Sequence, residues 1–318
     1  MTATVPVPVL ASASTAVRPP STAGSCATPT PTSTASLAAV AARASSATVL
    51  AYPRAARPVL RDLASRLTPH ACDLVGGRFD LVHHLRWHRE PAGGGMEVRD
   101  IIRWYDQDGH GAALTTQYPP AVVDVVRDYW TPFDPFDPRL AGTFTDATFL
   151  HAYLQARNTS TRLRQAEAVL SGLAVLSTWH SPRRPGRTLA VTALADTPGM
   201  TAYPHTTDRA GRAGIGIAAT TADGLHRHLL ILDAATGDVL AYEQATLTPS
   251  GWQVDDYLLP LTHTHTTHRW WQPPTTDDGP ASPSPAQWMP RPRSRSIGHT
   301  DQPCTPAPNP TPEKASPR

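Results

Sequence analysis

The chain has 318 residues, 34 prolines, a charged fraction of 17% and a formal net charge of +2. A charge this close to balance argues against nucleic acid or an anionic membrane as the partner. No run approaches the ~18 apolar residues that a transmembrane helix needs, and no basic start with an apolar core marks an export signal. We therefore expect a soluble, cytoplasmic protein.

Composition divides the chain into three parts. Residues 1–49 are rich in Ala, Ser, Thr, Pro and Val and lack aromatics, and residues 273–318 are rich in Pro, Ser, Thr and Arg. Neither stretch can bury enough apolar surface to offset the entropy of ordering. We predict two disordered arms flanking a single domain over residues 50–272. The three cysteines lie far apart, so no disulfide framework is predicted.

The first half of this domain begins with an apolar stripe at helical spacing, which predicts a short helix over 58–67. Alternating apolar and polar residues then predict strands over 79–88, 96–105 and 113–118, joined by glycine-rich turns into a meander. The aromatic and prolyl stretch that follows, as far as residue 142, is predicted to be an irregular cover over the sheet.

The second half begins with a helical block. Helical periodicity predicts helices over 146–154, 160–179 and 189–195. Strands are then predicted over 201–203, 213–220, 226–233, 239–245 and 252–261. Runs of strands separated by helices favour an α+β fold over an alternating α/β fold.

Several strings in this pattern carry a family resemblance. They are Trp87, Trp104-Tyr105, Pro198-Gly199-Met200, Asp208-Arg209-Ala210-Gly211-Arg212 and the turn that begins at Asp233 and continues to Leu240. Taken in order over residues 54–262, they resemble an actinobacterial family of uncharacterised proteins, usually encoded beside an extracytoplasmic sigma factor and carried on a membrane anchor. The family is similar, more remotely, to the periplasmic lipoprotein-carrier and sigma-regulator fold (LolA/RseB-like).

This resemblance implies a curved antiparallel sheet packed on a few helices, with an apolar concavity and a protein partner in a regulatory system. We expect no counterpart of the family's membrane anchor here, because an Ala/Ser/Thr/Pro arm stands in its place. Aromatic side chains are predicted in part to line a groove on the concave face, where an apolar small molecule or a peptide segment would bind. The groove candidates are Trp87, Trp104, Tyr105, Trp130, Phe133 and Phe136.

A histidine-rich string, His263, His265 and His268, is the main chemical alternative. Imidazoles two residues apart on an extended segment point to the same side, and a third could complete a zinc or copper site. The string also resembles the ligand motif of metallo-β-lactamase-like hydrolases, but Thr267 stands where that motif has an aspartate. The favoured interpretation is a polar strand end, and no cofactor is expected.

We therefore predict a non-enzymatic sensor or binding domain, with the ligand or partner segment on the concave sheet face. Two alternatives stay open: a metal-binding protein or metal-dependent hydrolase that uses the three histidines, and a scaffold for interactions made by the tail.

Overall fold

The computed structural model describes residues 46–90, 95–106, 111–118, 150, 153–154 and 165–267, and the backbone alone at 122–126. Within these ranges, ten strands form one sheet in which every neighbouring pair is antiparallel. The sheet is curved and unclosed, because its first and last strands have no ladder between them. The predicted α+β class and curved antiparallel sheet are confirmed.

The strands are named in chain order. They are β1 (Arg54–Ala55), β2 (Phe79–Arg89), β3 (Met96–Asp106), β4 (Gly111–Tyr118), β5 (Val122–Val126), β6 (Thr201–Thr207), β7 (Ala213–Thr220), β8 (His226–Leu232), β9 (Val239–Thr248) and β10 (Gly251–Thr266). Across the sheet the order is β1-β6-β7-β8-β9-β10-β2-β3-β4-β5. The C-terminal strand β10 therefore lies at the centre and joins the two meanders.

Among the described residues, three complete helices pack on one face of this sheet: α1 (Ala56–Arg66), α2 (Gln165–Ser177) and α3 (Arg184–Asp196). A short 3-10 helix follows α1 at Ala71–Leu74. Leu170 of α2, together with Ile217 and Leu230 of the strands, belongs to the main core and is fully buried. We call this side of the sheet the helix face. The other side carries Trp87, Leu229 and Tyr257, and we call it the opposite face.

Several boundaries differ from the prediction. Strand β10 continues to Thr266 rather than ending at residue 261, because its alternating threonines and histidines pair with β2 although they are not apolar. Strand β5 falls within the stretch predicted to be an irregular cover. Helix α3 begins at Arg184 rather than at residue 189, with a proline in its first turn, where the missing N–H has no helical partner to lose.

The turn between β8 and β9 packs the sheet against the end of α1. The Asp233 carboxylate accepts the main-chain N–H groups of Ala235 and Thr236, at 2.9 and 2.7 Å. Gly237 adopts a φ of +74°, and a Cβ at that position would lie 2.9 Å from a side-chain carbon of Leu67. Both the left-handed backbone and the close approach to the end of α1 therefore require glycine there.

Two further features concern Cys72 and the length of the helices. Cys72 is disulfide-bonded, with a partner outside the described residues, where the spacing of the cysteines had predicted no disulfide framework. Among the described helices, none has the length and apolar character needed to cross a bilayer.

Candidate binding site

The turn between β6 and β7, residues 208–212, folds across the opposite face. The Asp208 carboxylate shapes it by accepting the main-chain N–H groups of Ala210 and Arg212, at 2.9 and 2.8 Å. The N–H of Arg209 donates to the Tyr257 hydroxyl at 3.0 Å, although β10 lies three strands away from β7. The string that carried the family resemblance thus forms one wall of a surface on this face.

Arg212 ties two strands together beside this wall. The last residue pair of the β9–β10 ladder is Tyr242 with Leu258. Beyond it, the Arg212 guanidinium donates to the carbonyl oxygens of Leu240 and Pro260, both at 2.8 Å. The side chain therefore bridges β9 and β10 where their backbone pairing stops, and it holds the turn in place.

Arg209 stacks on an aromatic pair. Its guanidinium carbon lies 3.8 Å from the ring centroid of Tyr257 and 5.7 Å from that of Trp87. The two rings, both fully buried, contact each other edge to face at a centroid distance of 5.6 Å. Burial lowers the pKa of Arg209, an effect that Tyr257 and Glu243 oppose. Around this stack lies an apolar group that we call the Trp87 cluster, which includes Leu85, Trp87, Leu229, Ile231 and Tyr257.

A buried ion pair stands next to the Trp87 cluster. Arg227 of β8 and Glu243 of β9 approach to 2.8 Å, and their side chains are 9% and 1% exposed. The guanidinium of Arg227 also lies 5.1 Å from the ring centroid of Trp252. Removing two charges from water is costly, and the pair is tolerated only if further hydrogen bonds satisfy its remaining donors and lone pairs.

Residues 46–50 provide several of those hydrogen bonds. The Glu243 carboxylate accepts the main-chain N–H of Thr48 at 3.0 Å and its hydroxyl at 2.8 Å. Arg227 donates from Nη2 to the Thr48 carbonyl at 3.1 Å. The ion pair therefore engages both main-chain polar groups of a residue that the sequence had placed in the disordered arm.

The rest of the 46–50 segment lies along the same face. Ser46 forms an isolated antiparallel bridge with Gln253, and its carbonyl accepts from Arg209 Nη2 at 3.3 Å. Ala47 and Leu50 pack against the Trp87 cluster, whereas Val49 is 88% exposed. The surface thus holds a short extended segment through main-chain hydrogen bonds and two apolar contacts.

Within the described part of the chain, three arginine nitrogens around this surface are buried and have no hydrogen-bond acceptor: Nη2 of Arg89, Nη1 of Arg209 and Nε of Arg227. An unsatisfied buried donor costs about 1–3 kcal/mol, and more when the group is charged. The 46–50 segment therefore leaves three buried arginine donors around the site without an acceptor.

The aromatic residues predicted to line a groove lie in different parts of the structure. Trp87 lies in the site, and Trp104 faces the same side but belongs to a separate small cluster with Leu81 and Ile102. Tyr105 lies on the helix face, where its ring meets that of Trp179 at a centroid distance of 5.8 Å. These three side chains therefore do not line one groove. Trp130, Phe133 and Phe136 lie outside the described residues.

The histidine string divides between two partners. His263 and His265 face the same side of β10, as predicted, but His263 donates from Nε2 to the Ser177 carbonyl at 2.9 Å. His265 lies 3.1 Å from the Asp80 carboxylate. His268 lies outside the described residues, and within the described ranges no three metal-ligating side chains converge on one point.

Asp80 links two imidazoles, because His180 also approaches it, at 3.3 Å. Burial alone would raise the pKa of Asp80, but its hydrogen bonds with His180 and His265 outweigh this and hold the pKa below its ordinary value. The carboxylate is thus charged and held by its neighbours, which makes it a structural anchor between β2, β10 and the end of α2.

A small cavity also lies on the helix face, with a volume of about 30 Å³. It is bounded by α2, α3 and the β8–β9 turn, with Leu173, Val191 and Leu230 among its lining residues. This volume holds about one water molecule and is far too small for a lipid or a peptide.

The sequence analysis missed Thr48, Arg227 and Glu243. A signal for two of them existed: Arg227 is the one Lys, Arg, Asp or Glu of β8 and Glu243 is the one of β9, and they lie two residues apart across the β8–β9 ladder. No local feature distinguished Thr48, since the residues around it have the same composition as the rest of the arm.

No protein-family model matches the chain, and no curated protein matches it either.

Proposed function

We propose that this protein is a non-enzymatic binding domain that holds an extended segment of a partner protein on the opposite face of its sheet. One observation carries the proposal: Arg227 and Glu243, which form a buried ion pair, also form hydrogen bonds with the main-chain carbonyl and N–H of Thr48.

Main-chain recognition suits a binding role. An extended peptide that docks on a sheet gains affinity from hydrogen bonds to its backbone and specificity from pockets for alternate side chains. The site offers both kinds of contact, because Arg227 and Glu243 bond to the backbone while the Trp87 cluster receives apolar side chains. Arg209, stacked on Tyr257, adds a donor to a second carbonyl.

The biological setting of the proposal rests on the resemblance alone. Similarity to a sigma-factor-linked family suggests that the partner belongs to a regulatory system. The proposal also keeps the prediction that the protein is not an enzyme.

A display experiment tests the proposal. Random nine-residue peptides are selected against the full chain, and an enriched peptide is resynthesised with a photoreactive benzophenone side chain. We expect cross-links to residues of the opposite face, such as Trp252 or its cross-strand neighbour Leu247. Glu243→Gln should weaken binding by about tenfold or more, because the lost charge strengthened the bonds to the peptide main chain.

The matched control is Glu90→Gln, which makes the same chemical change at an exposed position just after β2. It should leave binding unchanged. Cross-links confined to the helix face, the absence of any enriched peptide, or equal binding by the Glu243→Gln variant would refute the proposal.

A further inference from the structure

The 46–50 segment shows what kind of occupant the site accepts. Ala47 and Leu50 contact the Trp87 cluster, the Thr48 hydroxyl donates to Glu243, and Val49 points into solvent. The side-chain requirements, in chain order, are therefore a small residue, a hydroxyl residue, an unrestricted residue and an aliphatic residue.

The 46–50 segment has much less backbone pairing than a strand of the sheet. Its backbone makes one isolated bridge, at Ser46, whereas β10 pairs with β9 from Gly251 to Leu258 and with β2 from Asp256 to Thr266. Segments with few hydrogen bonds and exposed residues open at a small fraction of the global unfolding free energy. The segment can therefore leave the site while the sheet stays folded.

The connection to β1 also favours release. Tyr52, which lies between the segment and β1, is 74% exposed and adopts a φ of 59°, in the left-handed region that non-glycine residues seldom occupy. Such strain persists only where the surroundings impose it. Release of the segment would free Tyr52 to relax.

The site itself is left incomplete by the segment. Arg227 Nε and Arg209 Nη1 remain buried without acceptors while the segment is bound. An occupant that reaches these two atoms with a carbonyl or carboxylate oxygen would satisfy donors that the segment leaves unpaired, so it would displace the segment.

We propose that residues 46–50 are an intrachain occupant of the partner site, and that the partner segment carries the same order: a small residue, Thr or Ser, any residue, then an aliphatic residue. This inference rests on the proposed function and adds to it the chemistry of the ligand and a built-in competitor.

The test uses the full chain and a fluorescent peptide that copies residues 44–52. Thr48→Pro removes both the N–H and the hydroxyl that bond to Glu243, so it frees the site without altering any residue of the sheet. By fluorescence anisotropy we expect the variant to bind the peptide about tenfold or more tightly than the unaltered chain. The matched control, Val49→Ala at the exposed neighbour, should bind like the unaltered chain.

Altered peptides test the side-chain order. Replacing the peptide threonine by valine, which has the same shape but no hydroxyl, should weaken binding to the Thr48→Pro chain by about tenfold. Replacing the exposed valine by aspartate should leave binding unchanged. Equal binding of the threonine and valine peptides would overturn the hydroxyl requirement.

Hydrogen exchange supplies a second measurement that needs no variant. Saturating peptide should remove the protection of the Thr48 amide in the unaltered chain, because the bound peptide takes its place at Glu243. A Thr48 amide that stays protected beside bound peptide, or equal affinities for the unaltered and Thr48→Pro chains, would overturn intrachain occupancy.

The two proposals fail in different ways. If neither chain binds the copied peptide, but selected random peptides cross-link to the opposite face, this inference falls and the binding function stands. If no peptide of any kind binds that face, both fall.

Discussion

Buried charges on the two faces of the sheet are satisfied by different parts of the chain. Beside the helices, Arg187 forms two bonds to the Asp73 carboxylate, at 2.7 and 2.8 Å, and donates to the carbonyls of Pro182 and Thr236. On the opposite face, Arg227 and Glu243 form hydrogen bonds with Thr48, which lies in a segment attached by few other contacts. The charges of Arg187 and Asp73 are satisfied within the compact fold, whereas those of Arg227 and Glu243 depend on the 46–50 segment, which we propose another chain can replace.

Arg187→Ala should have the largest effect on stability. The substitution leaves the Asp73 carboxylate and two carbonyls without their donor, and breaking a buried pair in this way costs about 3–5 kcal/mol. The free energy of unfolding in urea measures the loss. The control is Arg61→Ala, whose partner Asp196 is 62% exposed, so that its removal should cost at most about 1 kcal/mol. Equal losses for the two variants would show that the buried Arg187–Asp73 pair stabilises the fold no more than the exposed Arg61–Asp196 pair.

The second largest effect should come from acid, which lowers the free energy of unfolding through His228 on the helix face. Burial, assisted by the charge of His226, lowers the pKa of His228 to about 4, below its ordinary value of 6.5. Between these two values the unfolded chain binds more protons than the folded chain, so stability is complete above pH 6.5, falls as the pH drops through that value, and levels off below about pH 4. The loss from this residue amounts to roughly 3 kcal/mol.

Urea unfolding of the unaltered chain and of His228→Gln between pH 4 and 7 isolates this contribution. The variant should lose less stability on acidification, because glutamine does not titrate. Parallel pH profiles for the two proteins would show that His228 is not held neutral by burial.

Arg209→Lys should have a moderate effect on the opposite face. Lysine keeps the positive charge but loses the planar group that stacks on Tyr257 and donates to the Ser46 carbonyl. We expect a loss of about 1–2 kcal/mol in the free energy of unfolding. Arg54→Lys, at an exposed position on β1, is the control and should be neutral. An unchanged Arg209→Lys protein would mean that charge alone, and not stacking, holds the 208–212 turn.

Thr48→Val should have the smallest effect, and one confined to the segment. The variant loses only the hydroxyl bond to Glu243, which is worth about 1 kcal/mol or somewhat more because the acceptor is charged. Hydrogen exchange at the amides of residues 46–50 should speed up by a corresponding factor, while global unfolding in urea stays almost unchanged. A full loss of this size in global unfolding would show that the segment is part of the cooperative core.

Local patterns predicted most of the strands. The alternation from Phe79 to His88 marked β2, and the Asp233 to Gly237 turn marked the β8–β9 hairpin, because both depend on neighbours in sequence. Strand β5 was missed although its sequence is Val122-Val123-Asp124-Val125-Val126, since the prolines on both sides suggested irregular structure. The end of β10 was missed because Thr264 and His265 belong to a strand by pairing rather than by apolar character.

The site was harder to predict than the fold. The string from Asp208 to Arg212 was singled out as a family marker, but its contact with Tyr257 depends on how the turn folds over β10. The aromatic residues of the sequence suggested a groove, yet alternation along β3 sends Trp104 and Tyr105 to different faces. Composition therefore identified one member of the site, Trp87, and not the charged pair beside it.

The sequence alone determined the α+β class, the hairpin turns and the apolar alternation of the strands, because these follow from the preferences of residues close together in the chain. Only the tertiary structure decided which charges meet. Thr48 and Glu243 are 195 residues apart, and their hydrogen bonds exist because strand order and register place β9 beneath the N-terminal segment. Contacts of that range depend on the assembled sheet, so no local pattern in the chain encodes them.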